Sequence, residues 1–145
     1  MRSQPPPSTH GPHSPGEITA LQQAARRYPP LLRDALVAGL WKASFDIDIA
    51  RKAVTRADTA YVAGCLFRVA EVYAHALHGH AEHWLINEKD AVASAGRLSE
   101  APAGFAARAR GVLAHLGATP SELSSAIDSA SDLLADTTNA CKPSR

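Results

Sequence analysis

Apolar residues recur every three or four positions along most of the chain, which is the spacing that places them on one face of an α-helix. Strict alternation of apolar and polar residues, the pattern of a half-buried strand, appears only in the run SFDIDIARKA at 44–53. The pattern therefore predicts an all-α protein, folded as a single helical bundle of about five to six helices.

Capping and helix-breaking residues divide the chain into six predicted helices. Ser14 and Glu17 have the spacing of a capping box, in which each side chain bonds to the other residue's backbone N–H. Thr119 and Glu122 repeat that spacing, and Asp58 is placed to cap the third helix. The predicted helices run from the first capping box to about Arg27, from Pro30 to about Thr55, from Asp58 to about Asn87, from Lys89 to Leu98, from Phe105 to Leu116, and from Pro120 onward.

The chain has room for one domain with its own core but not for two, because it is 145 residues long. Residues 1–15 contain Pro, Ser, Gly and His with almost nothing to bury, so we expect a disordered Pro-rich lead-in. Residues 16–138 form the predicted helical bundle domain. Residues 139–145, NACKPSR, are expected to be a flexible tail.

Composition and charge narrow the classes of function. The formal net charge is +1, so no overall electric field favours nucleic acid or an anionic membrane surface. The longest apolar run, 35–41, is far too short to span a bilayer. Cys65 and Cys141 have neither metal-binding nor disulfide-framework spacing. We therefore expect a soluble cytoplasmic protein with no membrane partner and no nucleic-acid partner.

The alternating run at 44–53 raises the question of whether Asp46 and Asp48 are metal ligands. Nucleotide-transferring enzymes hold magnesium with paired carboxylates on a strand, because a strand places residues i and i+2 on one face. Helical spacing continues through this run, however, with Ile47 and Ala50 on the same stripe as earlier apolar residues. On a helix the two aspartates point about 200° apart. The sequence therefore predicts a helix here and no metal site.

The predicted helix at 30–55 has a second apolar stripe on the side opposite Ile47. Its members are Leu31, Ala38, Phe45 and Ile49, with Trp41 near the edge. A helix that is apolar on two faces is either central in its bundle or covers another domain. Two explanations stay open: the face belongs to a partner, or the short first and fourth helices cover it.

The predicted helix at 59–87 has a polar stripe opposite its broad apolar face. Its members, within about 80° of arc, are Arg68, Glu71, His75, His78 and Glu82. The stripe fits three interpretations: a solvated face with weak ion pairs, a metal site, or general acid–base chemistry. The spacing Arg68-x6-His75 resembles the signature of HEPN ribonucleases, which are also small helical bundles.

Polar groups also gather at the end of that helix, in HWLINEKDA. Asn87, Glu88 and Lys89 bring amide, acid and base to a helix–helix corner beside Trp84 and Leu85. One interpretation is a solvated corner where Asn87 ends the helix. The other is the rim of a pocket, in which polar groups near an aromatic ring orient a ligand.

The run YVAGCLFRVAEVYAHALHGHAEHWLINEKDAVA, residues 61–93, resembles the helical C-terminal half of bacterial nucleotidyltransferase-domain proteins, relatives of the aminoglycoside and kanamycin nucleotidyltransferases. The preceding run at 28–58 is similar to the helix that opens that half. The resemblance covers about 17–135, and its sharpest points are AGCLFR at 63–68 and LINEK at 85–89.

The resemblance implies a division of labour. In that family an N-terminal α/β domain contains a Gly-Ser turn and the paired carboxylates, while the helical half closes over the nucleotide and helps to bind the acceptor. This chain contains no match to the catalytic half. The resemblance therefore implies a partner, either a nucleotidyltransferase catalytic domain or a separate catalytic chain, and Mg²⁺ with a nucleoside triphosphate only where that partner is present.

We therefore expect a substrate-binding or partner module of nucleotidyltransferase type that is not catalytic alone. The expected acceptor contacts are Arg68, Trp84, Asn87, Glu88 and Lys89. Two alternatives stay open. One is a HEPN-like ribonuclease that uses Arg68 and His75, and the other is a homodimeric helical scaffold that buries the second apolar stripe against itself.

Overall fold

The computed structural model describes residues 14–143, and within that range the chain forms helices and no strand. The prediction of an all-α bundle is confirmed. The helices are α1 (Pro15–Ala25), α2 (Pro30–Ala38), α3 (Leu40–Ala53), α4 (Thr59–His80), α5 (Ala91–Ala95), α6 (Phe105–Ala114) and α7 (Pro120–Ala140), with a 3₁₀ turn at Val54–Arg56. None of these helices is long and apolar enough to cross a membrane.

The central helix of the bundle is α4, which packs against α2, α3, α5, α6 and α7. Half of its 22 residues are buried. They are Val62, Cys65, Leu66, Val69, Ala70, Tyr73, Ala74, Ala76, Leu77, His78 and Gly79. Burial of apolar surface is the main favourable term in folding, at about 25 cal/mol per Å². The core is therefore organised around α4.

Two contacts show how closely the neighbouring helices approach α4. On the α2 side, a Cβ built at Gly79 would lie 3.0 Å from the Leu36 side chain, so a larger residue would push the helices apart. On the α7 side, the buried Tyr73 hydroxyl donates a 2.7 Å hydrogen bond to the carbonyl of Ala130. Burial raises the pKa of Tyr73. Its one polar group is thus satisfied inside the core.

The three predicted helix caps, at Ser14, Asp58 and Thr119, are confirmed. The Glu17 carboxylate accepts from the Ser14 N–H at 2.7 Å, and Ser14 Oγ accepts from the Glu17 N–H at 3.3 Å. Thr119 and Glu122 form the same reciprocal box at the start of α7. Asp58 accepts a 3.1 Å bond from the N–H of the third residue of α4. Each box supplies acceptors for backbone N–H groups that have no partner within the helix.

The predicted continuous helix at 30–55 is wrong, because the structure has two helices separated at Gly39. The Lys42 N–H bonds to the Gly39 carbonyl at 2.9 Å, a spacing of three residues that replaces the regular spacing of four. Glycine weakens a helix interior because its backbone has more freedom to lose. The chain then tightens into the 3₁₀ turn at Val54–Arg56 and reverses at Ala57, which has a left-handed φ of 52°.

The predicted helix at 59–87 is also wrong at its end, since α4 stops at His80. Glu82 has a left-handed φ of 55°, and the His83 N–H bonds back to the His78 carbonyl at 2.9 Å. This pair of features is the Schellman ending, which usually has glycine at the left-handed position. The glutamate there gave no such signal in the sequence.

The remaining helices differ less from expectation. The predicted helix at 89–98 contracts to the five residues of α5, and α6 ends at Ala114 rather than at Leu116. The last helix continues to Ala140, and Cys141 after it is buried. Ordered packing thus extends beyond the start of the predicted tail. The predicted lead-in at 1–15 lies outside the described residues, except that Ser14 caps α1 and Pro15 begins it.

The second apolar stripe is not covered within residues 14–143. Leu31 is 83 % exposed, Trp41 63 % and Phe45 57 %. Ile49 alone of the large side chains packs partly against the core. Since α1 has no buried residue, the explanation that the short helices cover this face is wrong. The explanation by a partner stays a prediction.

The turn between α6 and α7 gives a stability prediction. Gly117 has a φ of 70°, and a Cβ there would collide with Glu122, whose carboxylate accepts from the N–H groups of Ala118 at 3.0 Å and Thr119 at 2.9 Å. We expect Gly117→Ala to lower the free energy of unfolding by roughly 2–3 kcal/mol in urea titrations, through left-handed strain and loss of the cap.

Gly111→Ala is the matched control, because Gly111 lies inside α6 and a Cβ there makes only ordinary contact. We expect that variant to be unchanged or up to about 1 kcal/mol more stable, since alanine favours a helix interior. Equal stability of the two variants would contradict the account of this turn.

Candidate functional site

The start of α2, the last turns of α4 and the loop at 81–90 enclose a pocket of about 240 Å³. Its lining is mostly apolar, with two aromatic rings and two imidazoles. The lining residues are Tyr28, Leu32, Leu36, His75, His78, Trp84 and Leu85. We refer to it as the Tyr28–Trp84 pocket. It lies at the corner where the sequence predicts the rim of a pocket.

Two larger clefts lie elsewhere. One of about 380 Å³ runs between α6 and α7, and one of about 480 Å³ lies between α2 and the end of α7. Neither is lined by a residue of the predicted corner. The Tyr28–Trp84 pocket is therefore the candidate site, because there a concave apolar surface meets convergent polar groups.

An aromatic wall closes one side of the pocket. The rings of Tyr28 and Trp84 are tilted at 47° with centroids 4.8 Å apart, a favourable arrangement for an aromatic pair. The indole Nε1–H of Trp84 donates a 2.9 Å hydrogen bond to the carbonyl of Ala25, at the end of α1. Trp84 is still 48 % exposed. Its ring is thus held in place and accessible to a ligand.

The inner wall is formed by His78, which is buried and has both ring nitrogens engaged. Nδ1 lies 2.8 Å from the carbonyl of Ala74, and a carbonyl only accepts, so Nδ1 has the hydrogen. Nε2 then accepts from the Ser94 hydroxyl at 3.0 Å. The neutral tautomer satisfies both bonds. Burial lowers the pKa of His78, which keeps the imidazole neutral.

Two carboxylates lie near the pocket but outside its lining. Glu71 is one turn before the pocket-lining His75 on α4, and Glu88 of the loop is near enough to affect its pKa. Partial burial raises the pKa of Glu71, the charge of His75 opposes that rise, and repulsion by Glu88 adds to it. We call Glu71 and Glu88 the carboxylate rim. A positively charged ligand group beside them would reduce their mutual repulsion.

An ion pair between Arg33 and Glu82 supports the mouth of the pocket. Arg33 of α2 bonds to the Glu82 carboxylate at 3.0 Å, which helps to hold the left-handed residue that ends α4. Burial raises the pKa of Tyr28, and the nearby charge of Glu82 adds to that rise. The Tyr28 hydroxyl therefore stays protonated and is a hydrogen-bond donor at the site.

The structure places the predicted corner residues at different distances from the pocket. Trp84 and Leu85 line it, whereas Glu88 lies outside the lining and is close enough to affect the pKa of Glu71. Asn87 Oδ1 accepts from the Lys89 N–H at 2.9 Å and so shapes the loop. The side chain of Lys89 is exposed. The interpretation of this corner as a pocket rim rests on Trp84 and Leu85.

Arg68 is not part of the pocket. Its guanidinium donates bonds of 3.0 and 3.3 Å to Asp46 of α3 and one of 3.4 Å to Cys65 Sγ. It is seven positions before His75, which corresponds to about 10 Å along the helix axis. The Arg68–Asp46 pair joins α3 to α4, so its role in the structure is to support helix packing.

The aspartate pair of the alternating run lies in α3, as predicted. Asp46 is bound by Arg68, and Asp48 is exposed on another side of the helix. Because successive helical residues diverge, these carboxylates do not face a shared ion. The strand-like alternation in SFDIDIARKA therefore gives no metal-binding pair.

The polar stripe predicted on α4 is wrong in two members. His78 is buried rather than solvated, and Glu82 lies beyond His80, the last residue of the helix. The metal interpretation needs a free nitrogen on His78, and both of its nitrogens are engaged. Among residues 14–143 no group of three His, Cys, Asp or Glu side chains gathers closely enough to hold a metal ion.

The sequence analysis missed Tyr28, Leu32 and Leu36. Tyr28 belongs to the aromatic wall with Trp84, and the two leucines supply the α2 side of the pocket. All three are distant in sequence from α4, and nothing in their own spacing indicates a site. One signal was available in Gly79, because a glycine inside an apolar helix commonly marks a close approach by another helix. In the structure the helix that approaches Gly79 is α2, through the side chain of Leu36.

Comparison of the chain with models of protein families, with curated proteins and with solved structures finds no match. The resemblance to the helical half of nucleotidyltransferases therefore stays a prediction.

The neutral state of His78 makes stability depend on pH. The pKa of His78 is lower in the folded protein than in the unfolded chain, where a histidine has a pKa of about 6.5. Below about pH 6.5 the unfolded chain therefore binds more protons than the folded one. The contribution of His78 to the free energy of unfolding is fully present above that pH and is lost as the pH drops towards 5. We expect the urea-derived unfolding free energy to lose up to about 1.4 kcal/mol per pH unit from this group.

His78→Gln removes the titration while keeping a polar side chain. We expect this variant to be less stable at pH 7.5 but to show a shallower decline between pH 7 and 5. His115→Gln, an exposed histidine on the turn after α6, controls for the loss of an imidazole elsewhere. An unchanged slope in His78→Gln would show that the buried imidazole is not the titrating group.

Proposed function

We propose that this chain is a helical binding module of nucleotidyltransferase type that holds an acceptor molecule and performs no transfer chemistry alone. The acceptor binds in the Tyr28–Trp84 pocket. A catalytic partner, in a separate domain or chain, supplies the Mg²⁺ ions and the nucleoside triphosphate. The transfer step thus belongs to the partner.

The observation that supports this proposal is the combination of an aromatic wall with a carboxylate rim. The rings of Tyr28 and Trp84 offer faces to a cation. Glu71, one turn from the pocket-lining His75, offers negative charge near the pocket together with Glu88. His75 adds an imidazole to the same rim. These groups together favour an amine-bearing acceptor.

The size of the pocket limits how much of the acceptor enters. Its volume of about 240 Å³ is below the roughly 300–1,000 Å³ that is typical of sites for a whole drug-sized ligand. One ring or one branch of an acceptor therefore occupies it. The rest of the molecule would extend past the exposed loop at 86–90 towards the partner.

The binding role is favoured over the HEPN-like ribonuclease by the environment of Arg68. Its guanidinium is bound to Asp46 and Cys65, whereas His75 lines the pocket. Acid–base chemistry on RNA by this pair would require both groups to converge on one phosphate. The proposal therefore gives Arg68 a supporting role in helix packing and gives His75 a role in binding.

Ligand binding can be followed through Trp84 alone in a Trp41→Phe background, since the chain has two tryptophans. With kanamycin as the amine-rich probe, we expect a saturable change in fluorescence, because its amino groups meet the carboxylate rim. Sucrose, a neutral sugar, should give none. Glu88→Gln should weaken binding roughly tenfold, equivalent to about 1.4 kcal/mol.

Asp132→Asn is the matched control for Glu88→Gln, because it neutralises an exposed carboxylate on α7. We expect it to leave kanamycin binding unchanged. Equal responses to kanamycin and sucrose would contradict the proposed site. Transfer of a labelled nucleotide to kanamycin by the isolated chain with Mg²⁺ would contradict the assignment of the chemistry to a partner.

A further inference from the structure

The short helix α1 buries none of its residues within the described chain. It has 11 residues, none of them buried, and the side chains of Ile18 and Leu21 are 46 % and 61 % exposed. These two residues lie about 60° apart on one face of the helix. Isolated helices shorter than about 12–15 residues are marginal in water, so α1 needs a surface for its apolar face.

The same chain has an apolar surface that lacks a cover. We define the α2–α3 apolar face by Leu31, Ala38, Trp41 and Phe45, all exposed. Trp41 and Phe45 are one turn apart and make an edge contact with centroids 6.5 Å apart. Exposed apolar patches that include aromatic side chains mark interaction surfaces.

Contacts at the base of α1 hold it off its own α2–α3 apolar face. Pro29 has extended backbone, with φ −68° and ψ 124°, and so separates α1 from α2. The Nε1–H of Trp84 donates a hydrogen bond to the Ala25 carbonyl, and the Trp84 ring packs against Tyr28. These contacts hold the last turn of α1 beside the pocket. The helix and the face are thus uncovered in the same molecule.

We propose that two copies of this chain pair by exchange, with α1 of each copy covering the α2–α3 apolar face of the other. The contact is reciprocal, so a two-fold axis relates the copies and the assembly closes as a dimer. This inference does not depend on the proposed acceptor pocket, because no residue of the exchanged surfaces lines that pocket.

The area available matches what a stable dimer needs. Ile18, Leu21, Leu31, Trp41 and Phe45 are between 46 % and 83 % exposed. On the scale of about 150–250 Å² for one aromatic side chain, their exposed parts total on the order of 600 Å² per copy. Complete burial of these parts in both copies would remove about 1,200 Å² from water, the lower limit of the range for stable specific interfaces.

An antiparallel arrangement of the two helices brings their apolar residues together. Ile18 and Leu21 are three positions apart on α1, and Ala38 and Trp41 are three positions apart on either side of Gly39. The two pairs therefore have matching separations.

This arrangement places Ile18 over Trp41 at the start of α3 and Leu21 over Ala38 at the end of α2. Ala38 has a side chain small enough to receive Leu21. The alignment thus pairs a large residue with a small one, as close packing requires.

Light scattering during size exclusion tests the dimer. We expect the wild-type chain at micromolar concentration to have twice the mass of one chain, and the Ile18→Glu/Leu21→Glu variant to have the mass of one. These side chains support no packing within the chain, so circular dichroism should show a folded bundle. Ala20→Glu places charge on the opposite face of α1 and should leave the dimer intact.

Mixed disulfides test the exchange itself. Leu21→Cys in one chain and Ala38→Cys in another should form an interchain bridge when mixed and oxidised, and Leu21→Cys alone should not. The native cysteines, Cys65 and Cys141, are buried. With both substitutions in one chain, the bridge should still link two chains.

Four results would overturn the proposal. They are a wild-type chain of single mass, a dimer that survives the double glutamate variant, homodimers of Leu21→Cys alone, and a bridge within the chain that has both cysteines. The third would mean that α1 pairs with α1, and the fourth that α1 covers its own face.

Discussion

Everything in this fold depends on the burial of α4 on most of its circumference. Its neighbours are separate helices that gain their apolar contacts from it: α2 and α3 along one side, α6 and α7 along another, and α5 at its C-terminal end. Buried alanine and glycine at Ala70, Ala74, Ala76 and Gly79 allow close approach. Water competes with few of the backbone hydrogen bonds, because the N–H and C=O groups of each helix bond to one another within the helix.

The candidate site follows from where α4 must stop. With Glu82 in a left-handed conformation and bound to Arg33, the chain leaves the helix axis and crosses to the end of α1. Trp84 there packs on Tyr28, and the space left beside His78 becomes the pocket. His78 couples the two regions, since it bonds to α4 on one nitrogen and to Ser94 of α5 on the other.

Capping residues close in sequence predicted the helix caps well. Contacts between residues distant in sequence could not be predicted from spacing alone. The capping boxes at Ser14 and Thr119 act within four residues, so spacing alone identifies them. The burial of His78 depends on Ser94, sixteen residues away, and its polar type suggested a solvated face. The end of α4 depends on Arg33, which the helical pattern at 59–87 does not contain. Trp84 was identified as part of a pocket rim, but the α2 residues opposite it were not.

Amide hydrogen exchange followed by mass spectrometry tests the central role of α4 most directly. If α4 organises the core, the amides of 66–79 exchange slowest and only through global unfolding, while those of 15–25 exchange fastest when the protein is diluted. The account would be contradicted if α4 exchanged through a local opening while α6 and α7 stayed protected, because the bundle would then have a core that does not require α4.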